Sequence, residues 1–342
     1  DERRTKITHG ESDIDIESLI KEETNVVTLT HFGYIKRIAA DVYRSQKRGG
    51  KGLTAMNTRE DDFVEHLFVT STHDYMMFFT TTGRAFRLKA YEIPEASRTA
   101  KGTAIVNLLQ LAQGEKIAAV IPVKDYNADQ YVLMATRNGL IKKTKLAEYS
   151  NIRKTGIQGI TLKEDDELID VRLTDGSTSI VMVTAKGLSI RFDEEEVRAV
   201  GRTSMGVKGI NLGKDDKVIG MEPIENEKDY ILAITENGFG KRTEVEEYRQ
   251  QARAGKGILT YKTTAKTGHI IGIKIVNNDD DVMLITDTGV IIRLNVKDIS
   301  ILGRNTQGVT LMRTSDGGKV INVAKIISEE EVAKQASEES NK

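Results

Sequence analysis

The chain has 342 residues, a formal net charge of −1, 30% charged and 39% hydrophobic residues, and neither cysteine nor tryptophan. The absence of cysteine excludes a disulfide framework, a thiolate metal site and a cysteine nucleophile, and it fits a reducing, cytoplasmic setting. No apolar run approaches the length of a membrane-spanning helix, and the charged first residues do not resemble a secretory signal. Only 3 prolines but 29 glycines occur, among runs rich in Val, Ile and Thr. This combination predicts many short strands joined by tight turns.

Charge is unevenly distributed along the chain. Residues 1–23 carry a formal net charge of −4 and residues 328–342 one of −3, which leaves about +6 on residues 24–327. We expect a connector over 1–23, a folded body over 24–327 and an acidic, flexible tail over 328–342. An alternative is that the tail competes with a polyanion for the basic body. Because the chain begins with Asp1 rather than methionine, we also expect it to be part of a longer protein.

A Thr-x-x-Gly unit recurs six times, and each copy follows an apolar, strand-like run such as YMMFF or SIVMV. Successive glycines of this unit are 50, 56, 48, 51 and 51 residues apart. Each glycine is predicted to occupy a turn that needs positive φ or has no room for a side chain, and a second strand follows it. The turn glycines are Gly33, Gly83, Gly139, Gly187, Gly238 and Gly289.

A second glycine closes each repeat and is followed by another apolar run, an acidic stretch and a fourth strand. Four strands in about 50 residues, repeated six times, predict an all-β, six-bladed β-pinwheel, a propeller-like array of four-stranded blades. One blade cannot bury both faces of its small sheet, so neighbours must stack. A linear solenoid is the alternative. The second glycines are Gly52, Gly102, Gly159, Gly209, Gly257 and Gly308.

Basic residues repeat in phase with the strands. The residue four positions after each turn glycine is Lys or Arg, whereas the residues one and five positions after that glycine are mostly apolar. Because side chains alternate along a strand, we expect these cations to point outward. A plainer interpretation is that their aliphatic stems cover an exposed sheet face. The in-phase cations are Arg37, Arg87, Lys143, Arg191, Arg242 and Arg293.

The loop before each second glycine is also basic. A cationic stripe repeated around a ring suits a long, regularly charged polyanion. Aromatic residues do not interleave with these cations, which favours duplex DNA held by its phosphates, with little sequence readout. The loop cations are Lys47, Arg48 and Lys51; Arg98 and Lys101; Arg153 and Lys154; Arg202 and Lys208; Arg253 and Lys256; and Arg304.

The first of these loops is the densest, with three cations among three glycines in the sequence QKRGGKG at 46–52. Backbone amides approach phosphates closely where no side chain intervenes. A nucleotide-binding P-loop is excluded because its Gly-x-x-x-x-Gly-Lys-Ser/Thr pattern is absent. The candidate residues are Gln46, Lys47, Arg48, Gly49, Gly50, Lys51 and Gly52.

A rough energy balance limits how such a ring could wrap a duplex. Bending DNA through about 180° over roughly 40 base pairs costs on the order of 10 kcal/mol. Each neutralised phosphate returns about 1 kcal/mol near 0.15 M salt, so about ten contacts are needed. The repeats offer roughly three cations in each of six units, so wrapping requires that most repeats take part.

The segment VVTLTHFGYIKRI at 26–38 followed by QKRGGKG at 46–52 resembles the gyrase-A box region of the C-terminal, DNA-wrapping domain of bacterial DNA gyrase A, part of a type IIA topoisomerase. The six Thr-x-x-Gly units resemble the pinwheel repeats of that family, and DERRTKI with DIDIESLIKEE resembles the connector that follows its cleavage module. The resemblance covers residues 1–325. The chain departs from the usual box only at Lys47, where Arg is usual.

The resemblance implies that the domain binds and wraps duplex DNA, so that ATP-dependent strand passage by the holoenzyme yields negative supercoils. It implies a box on a loop between the first and last blades, and a bacterial, cytoplasmic, nucleoid-associated protein. The expected partners are DNA, the rest of gyrase A, and gyrase B in an A2B2 assembly. The isolated domain is expected to be monomeric and to have no membrane contact.

The chain alone is not expected to be an enzyme. The family's catalytic tyrosine lies in the cleavage module, no Arg-Tyr-Thr sequence occurs here, and the ATP site is on gyrase B. We therefore expect no cofactor in this chain, although the holoenzyme would use ATP and Mg²⁺. The five histidines show no metal-ligand spacing. The alternatives are a topoisomerase IV-type domain that presents DNA without strong wrapping, a protein-docking propeller and, more remotely, a propeller hydrolase.

Overall fold

A computed structural model describes residues 16–39, 62, 64–97, 99–288, 290–314 and 317–326. These residues form 23 strands in six antiparallel sheets, which we call blades 1–6. Within this described part the helical segments are all short 3-10 turns. They comprise Ile16–Leu19, Ala90–Glu92, Ile105–Asn107, Leu146–Tyr149, Glu194–Glu196, Val245–Glu247 and Val296–Asp298. The prediction of an all-β, six-bladed array is confirmed.

Each blade is built on a hairpin of two strands. The first strands are β1 (Thr24–Thr30), β4 (Tyr75–Thr80), β8 (Tyr131–Thr136), β12 (Ser179–Thr184), β16 (Tyr230–Thr235) and β20 (Asp281–Thr286). The second strands are β2 (Tyr34–Ala39), β5 (Arg84–Lys89), β9 (Leu140–Lys145), β13 (Leu188–Asp193), β17 (Phe239–Glu244) and β21 (Ile291–Asn295).

Two further strands flank each hairpin. An inner strand pairs with the first hairpin strand: β3 (Val64–Ser71), β7 (Ile117–Val123), β11 (Leu168–Thr174), β15 (Val218–Ile224), β19 (Ile270–Val276) and β23 (Val320–Ile326). A two-residue strand pairs with the second: β6 (Thr103–Ala104), β10 (Ile157–Gln158), β14 (Val207–Lys208), β18 (Ile258–Leu259) and β22 (Val309–Thr310).

The two-residue strand is exchanged between repeats. For example, β10 comes from the third repeat but pairs with β5 of blade 2, and β22 from the sixth repeat pairs with β17 of blade 5. Blade 6 therefore shows three strands among the described residues, and the other blades show four. Among the described residues, this exchange joins each of repeats 2 to 6 to the repeat before it by backbone hydrogen bonds.

The inner strands contact one another in a closed circuit, in which β23 of blade 6 packs against β3 of blade 1. The blades therefore form a ring rather than a linear solenoid. Because the inner strands lie at one edge of each sheet, the two-residue strands at the opposite edge lie on the outer perimeter.

In blades 2 to 5 both faces of the sheet are buried against neighbouring blades. On β8, Val132 and Met134 pack with Met77 of blade 2, whereas the alternate residue Leu133 packs with Met182 of blade 4. This arrangement explains the unbroken apolar runs in the sequence, since neither set of alternating side chains faces water.

The Thr-x-x-Gly unit closes the hairpin of blades 1 to 5, where its glycine is among the described residues. In blade 4, the Gly187 amide donates to the Thr184 carbonyl oxygen at 3.1 Å, and the Leu188 amide donates to the Thr184 hydroxyl oxygen at 3.1 Å. Gly187 has φ of +94°, a conformation that L-residues with a Cβ rarely adopt. The predicted role of this glycine is confirmed, and the buried threonine satisfies the amide that follows it.

The second glycines are only partly equivalent to one another. Gly102, Gly257 and Gly308 directly precede a two-residue strand. In the third and fourth repeats that place is taken by Gly156 and Gly206, so the expected assignment of Gly159 and Gly209 is wrong by three residues. These two glycines instead follow the strand, and their amides donate to the carbonyl oxygens of the turn glycines Gly83 and Gly139.

We expect Gly187→Ala to destabilise the protein by about 2–3 kcal/mol, because the new side chain adds overpacking to left-handed strain. A Cβ at this position would lie 2.2 Å from the Tyr261 carbonyl oxygen. Gly114→Ala is the matched control: φ there is +79°, but nothing lies within 4 Å of its Cβ position, so we expect a loss of about 1 kcal/mol. Urea unfolding followed by circular dichroism measures both, and equal losses would contradict the role of the close contact.

Candidate nucleic-acid interface

The in-phase cations lie between blades, so the expectation that they point outward is wrong for most of them. Lys143, Arg191 and Arg242 are only 6%, 8% and 5% exposed, and Arg37 and Arg87 are half-buried. The reason is that the neighbouring blade covers the face that would be open in an isolated sheet. For the same reason, the plainer interpretation of stems on an exposed sheet face does not hold for these residues.

Each of these cations reaches from the second strand of one blade to a backbone carbonyl near the 3-10 turn of the next. Arg37 Nε donates to the Ile93 carbonyl oxygen at 2.9 Å, and Arg242 Nε donates to that of Ile299 at 2.7 Å. The remaining acceptors are the carbonyl oxygens of Ser150, Glu194 and Tyr248, for Arg87, Lys143 and Arg191 respectively. We call Arg37, Arg87, Lys143, Arg191 and Arg242 the inter-blade cations.

Arg293, the sixth in-phase cation, is placed differently. Its side chain is 57% exposed and pairs with Asp281 of its own blade, with Nε 2.8 Å from the carboxylate. The segment that follows β2 lies outside the described residues. The predicted box, Gln46 to Gly52, and the loop cation Arg98 lie outside them as well.

Three of the loop arginines, Arg202, Arg253 and Arg304, are held on the perimeter by two contacts each. The Arg202 amide donates to a Glu148 carboxylate oxygen at 2.9 Å, and its guanidinium donates to the Gln158 carbonyl oxygen at 2.6 Å. Arg253 and Arg304 repeat this pattern one and two blades further on. Their carboxylate partners are Glu196 and Glu247, and their carbonyl partners are Lys208 and Leu259.

Successive loops are also bonded to each other through their backbones. The Thr161 amide donates to the Ser204 carbonyl oxygen at 3.2 Å, the Asn211 amide to Gly255 at 2.8 Å and the Lys262 amide to Thr306 at 3.0 Å. These bonds join the perimeter loops of residues 151–162, 200–212, 251–262 and 302–312 into a continuous surface, which we call the rim belt. Such a surface presents its cations at fixed positions, so little loop ordering would be needed on binding.

The rim belt carries several exposed cations. Arg153, Lys154, Lys208 and Lys256 are exposed, as the loop pattern predicted, whereas Arg202, Arg253 and Arg304 are half-buried. Lys101 precedes the belt, with its ammonium 3.7 Å from the centre of the Tyr34 ring. Sequence reasoning missed two further exposed arginines in the same loops, Arg198 and Arg249, although each lies four residues before a recognised loop arginine.

Three buried lysines under the perimeter loops were also missed. Lys142 is 1% exposed, and its ammonium donates to the carbonyl oxygens of Gly159 and Arg202 at 2.6 and 2.5 Å. Lys36 and Lys241 make equivalent bonds in blades 1 and 5. Burial lowers the pKa of Lys142 and that of Lys241 to about 8, so both are still mainly protonated at pH 7. In the sequence, these three residues share one feature: each is a lysine three positions after the turn glycine of the first, third or fifth repeat.

The described residues contain no cluster of three or more His, Asp or Glu side chains arranged to hold a metal ion. Within the same ranges, no helix has the length and apolar character needed to cross a membrane.

Comparison with known proteins gives one consistent result. Six segments of the chain match the family described as DNA gyrase C-terminal domain, beta-propeller: residues 24–71, 74–124, 130–175, 178–225, 229–277 and 280–327. Relatives named as the A subunit of DNA gyrase include that of Clostridium acetobutylicum, 54% identical over 99% of this chain and 41% of the relative. Another, from Salmonella typhimurium, is 45% identical over 95% of this chain and 37% of the relative. The chain thus spans about two-fifths of these relatives.

Two solved structures share the fold. The C-terminal domain of DNA topoisomerase IV superposes with a TM-score of 0.83 at 29% identity, covering 94% of this chain and 99% of that one. A DNA gyrase A C-terminal domain superposes with a TM-score of 0.69 at 26% identity, covering 89% of this chain and 100% of that one. With its six matched repeats and its gyrase A relatives, the chain belongs to the DNA gyrase C-terminal domain family.

Proposed function

We propose that this chain is the non-catalytic DNA-wrapping part of DNA gyrase, a type II topoisomerase. The observation that carries the proposal is the rim belt, a continuous perimeter surface with exposed cations from consecutive repeats. Phosphate contacts from such a surface bind duplex DNA with little regard to sequence. The inter-blade cations are not part of this contact set, because their side chains are already bonded between blades.

The box at residues 46–52 belongs to the proposal on sequence grounds. Its three cations and three glycines suit a loop that approaches phosphates closely. We propose that it completes the wrapped path, and that the rest of the holoenzyme, with ATP and Mg²⁺, converts that path into negative supercoils in the bacterial cytoplasm. The partners would be the remainder of gyrase A, and gyrase B.

A topoisomerase IV-type function is the second candidate, because the topoisomerase IV domain has the higher TM-score of the two structures compared. Such a domain would bind DNA without strong wrapping. The two candidates differ in whether the bound duplex is wrapped with a defined handedness. Wrapping changes the linking number of a nicked circle, and ligation makes that change permanent.

The test is topological footprinting: relaxed nicked circles are bound, ligated, and their linking number is read on a gel. We expect the chain to shift the linking number, and replacement of residues 46–52 by alanine to abolish the shift while leaving folding and some affinity. The control is duplex binding at 50 and 200 mM salt, where about six or more phosphate contacts predict a loss of about a thousandfold or more. Salt-dependent binding without a shift would favour the second candidate, and no salt-dependent binding would contradict both.

A further inference from the structure

A groove opens in the rim belt at the junction of blades 2 and 3. Its volume is about 530 Å³, and its polar lining consists of Arg87, Asn151, Arg153, Thr155, Gln158 and Arg202. No carboxylate is among the lining residues. The groove therefore combines a concave shape with three arginines and two amide side chains.

The groove has a cause in the sequence. In four repeats an arginine lies five residues before the two-residue strand, as Arg202 does before Val207 and Arg253 before Ile258. In the third repeat the corresponding cation, Lys154, lies only three residues before Ile157. The loop of this repeat is thus two residues shorter, and the missing chain leaves open the space that the other loops fill.

The cations of the short loop also differ from those of the other loops in their side-chain contacts. Arg202, Arg253 and Arg304 each donate to a carbonyl oxygen of the preceding blade. Arg153 and Lys154 are exposed, and within the described ranges their side chains make no hydrogen bond or ion pair. A cation without an internal partner keeps its full capacity for an incoming anion.

The chemistry of the lining selects the ligand class. Guanidinium and ammonium groups with amide donors suit phosphate oxygens. No aromatic side chain lines the groove, so stacking on unpaired bases is disfavoured and backbone recognition is favoured. Because the rim belt continues past the groove into blades 3 to 5, the phosphates would belong to a duplex lying along it.

Building on the DNA-binding function proposed above, we propose that this groove binds phosphodiester groups of the duplex through its lining residues Arg153 and Arg202, and so anchors the duplex at one fixed point on the ring. Lys154, which lies between the lining residues Arg153 and Thr155 in the chain, adds an exposed cation beside the groove. The other rim cations would then guide the duplex away from this anchor.

The test compares two double variants of the full 342-residue chain. Arg153→Ala with Lys154→Ala removes one exposed cation that lines the groove and its exposed neighbour in the chain, and Lys208→Ala with Lys256→Ala removes two exposed rim cations away from the groove. Each pair removes two positive charges, so a purely additive surface predicts equal losses of duplex affinity at 150 mM salt. We expect the groove pair to lose at least about tenfold more affinity than the control pair.

The position of the duplex on the protein is tested by crosslinking. Because the chain has no native cysteine, a single introduced cysteine can be labelled specifically. Thr155→Cys lines the groove and Ser177→Cys lies in the turn between β11 and β12; both positions are exposed. With a short photocrosslinker attached, we expect duplex to be captured at Thr155→Cys and not at Ser177→Cys, and Arg153→Ala with Lys154→Ala to abolish the capture. Equal affinity losses in the two double variants, or no capture in the groove by a chain that binds duplex, would overturn the anchor and leave the proposed function standing. Absence of salt-dependent duplex binding would overturn both.

Discussion

Arg242→Met is expected to lower the free energy of unfolding by about 3–5 kcal/mol, because three buried or partly buried acceptors lose their donor and each unsatisfied buried acceptor costs about 1–3 kcal/mol. The guanidinium is buried and donates to the Ile299 and Lys297 carbonyl oxygens at 2.7 and 3.1 Å and to the Asn278 side chain. Methionine keeps much of the apolar stem but leaves these acceptors without a donor, between two blades where water is excluded.

Arg249→Met is the matched control, because Arg249 is an exposed arginine seven residues further along the same repeat. We expect it to change stability by less than about 0.5 kcal/mol. Urea unfolding followed by circular dichroism measures the free energy, and duplex affinity is measured on the folded fraction. The opposite outcome would be an Arg242→Met protein that keeps normal stability but loses duplex affinity. It would show that Arg242 belongs to the DNA-binding surface.

The number and kind of blades followed from the sequence because the responsible interactions are local. The Thr-x-x-Gly hairpin is closed within five residues, by bonds from the Gly187 and Leu188 amides to Thr184. Because the interactions lie within the unit, the same Thr-x-x-Gly pattern appears in the sequence of every repeat. The apolar first strands were equally visible, since burial on both faces removes polar residues from the whole run.

The placement of charged side chains could not be predicted in the same way. Alternation along β9 separates Lys142 from Lys143, but it does not say that a neighbouring blade covers each face. The acceptors of these lysines, such as the Arg202 and Glu194 carbonyl oxygens, lie 51 to 60 residues away in the chain. Lys143 was therefore expected to point outward and Lys142 was missed, although both are buried.

The exchange of two-residue strands was also beyond sequence reasoning. A strand such as β10 is too short to have a recognisable period, and its partner β5 belongs to the preceding repeat. The misassigned glycines Gly159 and Gly209 have a related cause: in the third and fourth repeats one glycine precedes the two-residue strand and another follows it, and a strand of two residues gives no signal that tells the two glycines apart. Loop cations such as Lys154 and Lys256 were predictable, since loop residues on the perimeter have no neighbouring sheet to cover them.

A cluster of two buried carboxylates and two partly buried cations joins three inner strands near the centre of the ring. Arg172 on β11 lies 2.6 Å from Asp170 and 3.0 Å from Glu222 on β15, and Lys274 on β19 lies 3.3 Å from Glu222. Burial raises the pKa of Asp170 above its ordinary value. Burial acts in the same direction on Glu222, but Arg172 and Lys274 outweigh it and hold the pKa of Glu222 below its ordinary value.

Arg172→Met is expected to cost about 3–5 kcal/mol at pH 7.5, because two buried carboxylates lose their shared cation. Without Arg172 the folded-state pKa of Asp170, already raised by burial, rises further above its unfolded value near 4, so the folded state binds more protons and stability falls as pH rises through the folded value. Glu222 loses one of the two cations that hold its pKa down and keeps Lys274. The loss should therefore be smaller at pH 5 than at pH 7.5 by about 1 kcal/mol or more. Arg137→Met, which removes a partly exposed pair with Glu167 at 3.1 Å, should cost at most about 1 kcal/mol at either pH. Urea unfolding at the two pH values measures both variants; a loss for Arg172→Met that is independent of pH would show that the two carboxylates do not carry uncompensated charge in the folded ring.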